Sequence, residues 1–115
     1  MIKTIKSFKY ALNGLKTVFK EENSFRLEVV AGFFVVFCMY YFDFSLFENI
    51  VIILVITLVL SAEIVNTAIE DLCNKVEPGQ DPIIGKVKDT MSAFVLLTSL
   101  GALIVGVLVF YSHFI

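Results

Sequence analysis

The stretch Met91–Tyr111 contains no charged residue. As a helix rising 1.5 Å per residue it covers roughly 31 Å, about the thickness of a bilayer hydrocarbon core. Two more apolar stretches precede it. One runs from Leu27 to Phe42, broken by Glu28 near its start, and the other from Ile50 to Ala62, continuing helically through Ile69. Both are shorter, but their polar flanks extend the same helices, and tilt or snorkelling absorbs the difference. The chain of 115 residues is long enough for one domain. Its residues are 58% hydrophobic and 17% charged, whereas soluble domains are about half apolar and about a quarter charged. The reading is an all-α integral membrane protein.

The placement of charge gives a topology. All nine Lys and Arg residues fall within 1–26 and 75–88, and none within 43–49 or 112–115. Basic residues gather on the cytoplasmic side of membrane spans. Three spans with the N-terminus inside and the C-terminus outside satisfy every one of them. No cleavable signal is expected, because residues 3–26 carry a Lys or Arg every few positions rather than an early apolar core.

Before the first span, Ile2, Ile5, Phe8, Leu12, Leu15, Val18 and Phe19 recur at helical spacing, while Lys3, Lys6, Lys9, Asn13, Lys16 and Lys20 fill the gaps. That pattern predicts an amphipathic helix lying on an anionic membrane surface. Between the second and third spans, Pro78-Gly79 marks a turn. Asp81-Pro82 reads as an N-cap followed by proline at the first helical position, so the third helix begins near Pro82. One domain over 1–115 results, with a surface helix at about 2–22 and spans at about 27–45, 48–70 and 90–112. Cys38 and Cys73 form no C-x-x-C motif and read as packing residues. His113 reads as an interface anchor at the outer end of the third span.

Composition does not explain the polar groups of the second helix. Glu63, Asn66, Thr67 and Glu70 follow i, i+3, i+4, i+7 and share one face. Glu63 follows the apolar run Ile50–Ala62 and so lies at the cytoplasmic interface, where carboxylates usually face a bundle interior or a wet cavity. Glu70 lies about 10 Å further along the axis, nearer water. Such a stripe can hold a lipid hydroxyl at one end and a water-soluble reagent at the other. Glu22 and Glu28 flank the junction before the first span, with Arg26 between them, and Lys88 and Asp89 stand at the matching level of the third helix. Acids able to hold Mg²⁺ beside a lysine able to meet phosphate are the parts that phosphoryl transfer requires. There is no G-x-x-x-x-G-K-[ST] loop, protein-kinase glycine loop or G-x-S-x-G elbow.

The segment Glu63-Ile-Val-Asn66-Thr67-Ala-Ile-Glu70, with Lys88-Asp89 further on, resembles the signature of the bacterial prokaryotic-type diacylglycerol kinases, a family that includes undecaprenol kinases. The resemblance extends over nearly the whole chain, through Tyr10-Ala-Leu-Asn-Gly14-Leu, Glu22-Asn-Ser-Phe-Arg26 and Ser92. It implies a homotrimer of three-span subunits with active sites shared between neighbours, in the bacterial inner membrane. It also implies transfer of the ATP γ-phosphate, with Mg²⁺, to the hydroxyl of diacylglycerol to give phosphatidic acid. By that pattern Glu63 is the general base. Glu22 and Glu70 hold metal and nucleotide phosphates, Lys88 and Asp89 bind the nucleotide, and Tyr10 lies near the adenine. Asn66 and Ser92 line the site, while Arg26 and Glu28 support it. A nucleic-acid partner is not expected.

Three positions depart from the family pattern. Asn74 stands where Asp is common, Met91 replaces a small residue, and Leu27 a polar one. For the acceptor, Phe25-Arg26-Leu27-Glu28 and Ser112-His113-Phe114 lean towards diacylglycerol, whereas Asn66-Thr67 and Phe19-Lys20-Glu21-Glu22 lean towards undecaprenol. A small multidrug or proton-coupled transporter also uses a membrane glutamate, but would leave Glu22, Lys88 and Asp89 idle. In a non-catalytic assembly subunit the acids would only lock helices together.

Overall fold

The computed structural model describes residues 1–115 as four helices: α1 (Ile2–Glu21), α2 (Asn23–Tyr41), α3 (Leu46–Val76) and α4 (Pro82–Phe114). The last three are long and apolar enough to cross a membrane, and the chain is a multi-pass membrane protein. Only nine side chains are buried, while Phe33, Phe34, Leu97 and Leu103 stay exposed. Water would not tolerate such a surface, but lipid is as apolar as leucine and does.

α1 and α2 are separated by one residue, Glu22, whose extended backbone (φ −110°, ψ 109°) turns the chain. Arg26 secures that corner. Its guanidinium donates to the carbonyls of Phe19 (3.0 Å) and Lys20 (2.7 Å) and to Asn23 Oδ1 (3.3 Å). A cation on the last carbonyls of α1 satisfies acceptors that a helix end leaves free and complements its dipole.

α2 ends at Tyr41, four residues before the limit read from hydropathy, because the chain reverses there. The Phe44 N–H reaches the Met39 carbonyl (3.0 Å) and the Asp43 N–H reaches that of Tyr40 (3.3 Å), the paired bonds of a Schellman cap. Asp43 takes the left-handed position (φ 57°) usually given to glycine, which a short polar side chain tolerates. The cap is sealed by apolar contact, since Met39 and Phe44 pack with Ile52 in one buried cluster. α3 starts at once with a capping box: the Glu48 N–H donates to Ser45 Oγ (3.2 Å) and the Ser45 N–H to Glu48 Oε1 (2.8 Å).

The end of α4 closes on this turn. His113 Nδ1 lies 3.0 Å from Glu48 Oε1 and Nε2 2.9 Å from the Phe42 carbonyl, and its ring stacks on Phe44 with centroids 4.0 Å apart. Phe110 and Phe114 extend the aromatic cluster. One histidine thus ties three helices at the end of the bundle that lacks Lys and Arg. In H113A both bonds and the stack are lost. The detergent-solubilised variant is expected to unfold several degrees below the wild type, with unchanged helix content at room temperature by circular dichroism; an unchanged unfolding temperature would show the clamp to be idle.

At the opposite, basic end the α3–α4 hairpin turns through 77–81. Asp81 Oδ2 accepts from the N–H groups of Ile83 (3.0 Å) and Ile84 (3.1 Å), with Pro82 in the first turn, as the sequence predicts. The 31 residues of α3 extend about 46 Å, beyond a hydrocarbon core of roughly 30 Å, so its last turns stand clear of the apolar layer. α4 packs extensively along α3, and α2 meets α3 more sparingly. The close approach of α2 is at Gly32, where a Cβ would stand 3.2 Å from Ile56 Cγ2. Absence of a side chain at that point lets the two helices meet.

Candidate active site

Below the Gly32–Ile56 contact the same faces of α2 and α3 carry acids. Glu63 is buried, with 9% of its surface exposed, and Thr67 and Ala62 are buried beside it. Glu28, one turn before Gly32, brings its carboxyl within hydrogen-bonding reach of Glu63. Its Oε2 is buried and meets no donor in the chain. A buried polar atom without a partner is costly, so the oxygen is suited to a donor arriving from outside. Glu28 is also the one charged side chain on an apolar hollow of about 440 Å³ lined by Gly32, Ile56, Val59 and Gly106. Two facing carboxyls at the foot of an apolar groove can take up one hydroxyl proton and hold it between them.

Glu22 faces the same stripe from the α1–α2 corner. Its carboxyl is pushed above the ordinary value of 4.5, first by partial burial and then by repulsion from Glu70, Asp71, Glu63 and Glu21. The acids at this level therefore crowd one another, and no cation of the chain neutralises them: the only ion pair is His113–Glu48, at the other end.

The third group lies between α3 and α4. Asn66, Ile69, Glu70, Lys88, Met91 and Ser92 line a cavity of about 230 Å³. Lys88 crosses from α4 to donate to Asn74 Oδ1 at 2.7 Å. The helices thus bring Glu70 and Lys88, opposite in charge, onto one cavity with the two neutral polar groups Asn66 and Ser92.

The donor set suits a sparse metal site. No three His, Cys, Asp or Glu side chains converge to hold a metal ion unaided. Mg²⁺ usually keeps several waters and takes one or two carboxylates together with substrate phosphates. Glu22 and Glu70, mutually repelling carboxylates at the water-facing level, fit that requirement.

Two residues singled out from sequence stand apart. Tyr10 is exposed on α1, far from these acids along its helix, and Asp89 is exposed and does not line the cavity. Arg26 is committed to the α1 carbonyls and not to an acid. Two others gain a place. Asp71 adds to the field on Glu22, and Asn74 holds Lys88. Asp71 was visible as the neighbour of Glu70. The Asn74 contact needs the relative rotation of α3 and α4, which spacing along one helix does not carry.

A family profile described as prokaryotic diacylglycerol kinase matches residues 9–110. The chain is 32% identical to a diacylglycerol kinase of Haemophilus influenzae over 92% of each chain. It is 31% identical to a diacylglycerol kinase of Escherichia coli, over 96% of this chain and 90% of that one. It is 29% identical to an undecaprenol kinase of Bacillus subtilis, over 91% of this chain and 85% of that one. With a match across the spans, the acid stripe and Lys88, the chain belongs to the prokaryotic diacylglycerol kinase family.

Proposed function

We propose that this protein is an ATP-dependent lipid kinase acting as a single membrane domain, which transfers the γ-phosphate of ATP to the hydroxyl of diacylglycerol and yields phosphatidic acid. The observation that carries this reading is the meeting of Glu28 and Glu63 at the foot of the apolar hollow, one to two helical turns from the Glu70–Lys88 cavity. An acceptor whose tail lies in lipid reaches the first, and a nucleotide from water reaches the second.

In this reading the basic end is cytoplasmic, in the bacterial inner membrane, with α1 resting its lysine-rich face on anionic headgroups and the C-terminus outside. Glu63 accepts the hydroxyl proton while the acceptor oxygen bonds to the γ-phosphorus. The bond from that phosphorus to the β,γ-bridging oxygen breaks, and ADP leaves. Glu22 and Glu70 hold Mg²⁺, which when bound supplies neutralisation of charge on the phosphate oxygens. Lys88 holds the nucleotide from within the cavity and Asp89, exposed outside it, from the water side, while Asn66 and Ser92 line its path. Glu28 supports Glu63, and Arg26 keeps Glu22 in place by fixing the corner. Tyr10 does not line the Glu70–Lys88 cavity of its own chain, so its place beside the adenine fits a homotrimer with sites shared between subunits. The likeness to an undecaprenol kinase makes that polyprenol the rival acceptor.

The test supplies purified protein in mixed micelles with labelled ATP and Mg²⁺, offering diacylglycerol and undecaprenol separately. Labelled phosphatidic acid is expected, and stronger labelling of undecaprenol would move the assignment to the rival. No labelled lipid from either acceptor would sink the kinase reading. Chemical crosslinking of the same preparation is expected to show a trimer, and a sole monomer band under active conditions would exclude shared sites.

A further inference from the structure

We propose that Asn74 is a positioning residue for the nucleotide phosphates, orienting the Lys88 ammonium without neutralising it. The inference rests on the kinase reading above. Lys88 Nζ donates to Asn74 Oδ1 at 2.7 Å, and Lys88 makes no ion pair anywhere in the chain. A lysine stem is flexible and its ammonium is a compact point charge, so its use against phosphate depends on where it is held. One of its three N–H groups is spent on the amide, leaving two for phosphate oxygens.

The surroundings show why a neutral partner matters. Lys88 stands between two hollows: the 230 Å³ cavity shared with Glu70 and Ser92, and a more open one of about 550 Å³ beside Gly79, Gln80, Asp81 and Gly85. It is the cation common to both. Asn74 follows Glu70 by one helical turn and so continues its face towards the end of α3. A carboxylate at this position would hold Lys88 equally well, but would cancel its charge and lengthen the row of acids that already repel one another around Glu22. Both changes would weaken attraction for a polyanion.

Saturation with MgATP, measured at low and high ionic strength, tests this on wild type, N74D and N74L. In N74D the KM for MgATP is expected to rise about tenfold at low salt. Its kcat should stay within about threefold of wild type, because the group acts in binding. The defect should shrink as salt screens the added charge. N74L loses the tether but keeps the Lys88 charge, so its KM should rise by only about threefold, and that rise should not respond to salt. An active N74D with wild-type KM overturns the inference alone. N74L as impaired as N74D, with no salt response in either, would reveal a packing role instead. An unchanged KM in N74L overturns the tether whatever N74D does. A wild type that neither transfers phosphate nor binds a fluorescent ATP analogue overturns this inference and the kinase reading together.

Discussion

Glu63→Gln is expected to abolish phosphoryl transfer while leaving the protein folded and able to bind nucleotide. A lipid alcohol does not give up its proton to water at neutral pH, and the group that takes it must stand at the level of the lipid hydroxyl. Glu63 is buried beside Glu28, the carboxylate that lines the apolar hollow, whereas Glu70 is exposed about two helical turns further out. Glutamine keeps the shape and the hydrogen-bonding oxygen but cannot accept a proton. Loss of a general base typically costs about 10²–10⁴ in rate. The substitution also removes one of two facing carboxyls, so packing of α2 on α3 at Gly32 is not endangered and the unfolding temperature should not fall. Turnover by labelled lipid, nucleotide binding by a fluorescent ATP analogue and thermal unfolding are the three readouts. Full activity in E63Q would remove Glu63 as the base and direct attention to Glu28. Loss of activity together with loss of fold would leave the role to be judged on E63D, where a shortened carboxylate should restore part of the rate.

Much of this arrangement is visible in the sequence, because it is written in periodicity and in local capping. The four helices follow from apolar spacing, the start of α4 from Asp81-Pro82, and the shared face of Glu63, Asn66, Thr67 and Glu70 from their offsets. Contacts between elements are another matter. The end of α2 at Tyr41 depends on Asp43 entering the left-handed region, for which glycine is the usual signal and aspartate a weak one. His113 meets Glu48 and Phe42 across 65 and 71 residues of sequence, and no local pattern reports such a pairing. Arg26, between Glu22 and Glu28 in the sequence and expected there to support the site, caps α1 because the turn at Glu22 brings the carbonyls of Phe19 and Lys20 to its guanidinium. Lys88 on Asn74 belongs to the same class of contact. The stripe itself was legible; what holds its neighbours in place required the helix rotations.

Glu22→Gln is expected to stabilise the metal-free protein and at the same time to remove most of its activity. The Glu22 carboxyl lies above its ordinary value of 4.5 through burial and through Glu70, Asp71, Glu63 and Glu21. Ionising it is therefore harder in the folded chain than in the unfolded one. A group of this kind favours the fold fully below its unfolded pKa, and that contribution is lost as pH rises through the folded value. In EDTA the wild type should thus lose thermal stability as pH climbs from about 4.5, relative to E22Q, which carries no charge there at any pH. At pH 7 E22Q should unfold at the higher temperature, and below the ordinary carboxylate range the two should converge. Mg²⁺ should reverse the order, because a ligand that binds only the folded state stabilises the protein that binds it. Wild type should gain from the cation and E22Q should gain little. Without one of its two proposed carboxylate ligands the transferring phosphate loses electrostatic support, and kcat is expected to drop on the order of a hundredfold. Detergent-phase thermal unfolding with EDTA or Mg²⁺, beside labelled-lipid assays, measures each part. If E22Q is less stable than wild type in EDTA at pH 7, the acids are not in repulsion there. If Mg²⁺ stabilises both proteins equally, Glu22 is not a metal ligand, and the crowding at the α1–α2 corner must serve the nucleotide in some other way.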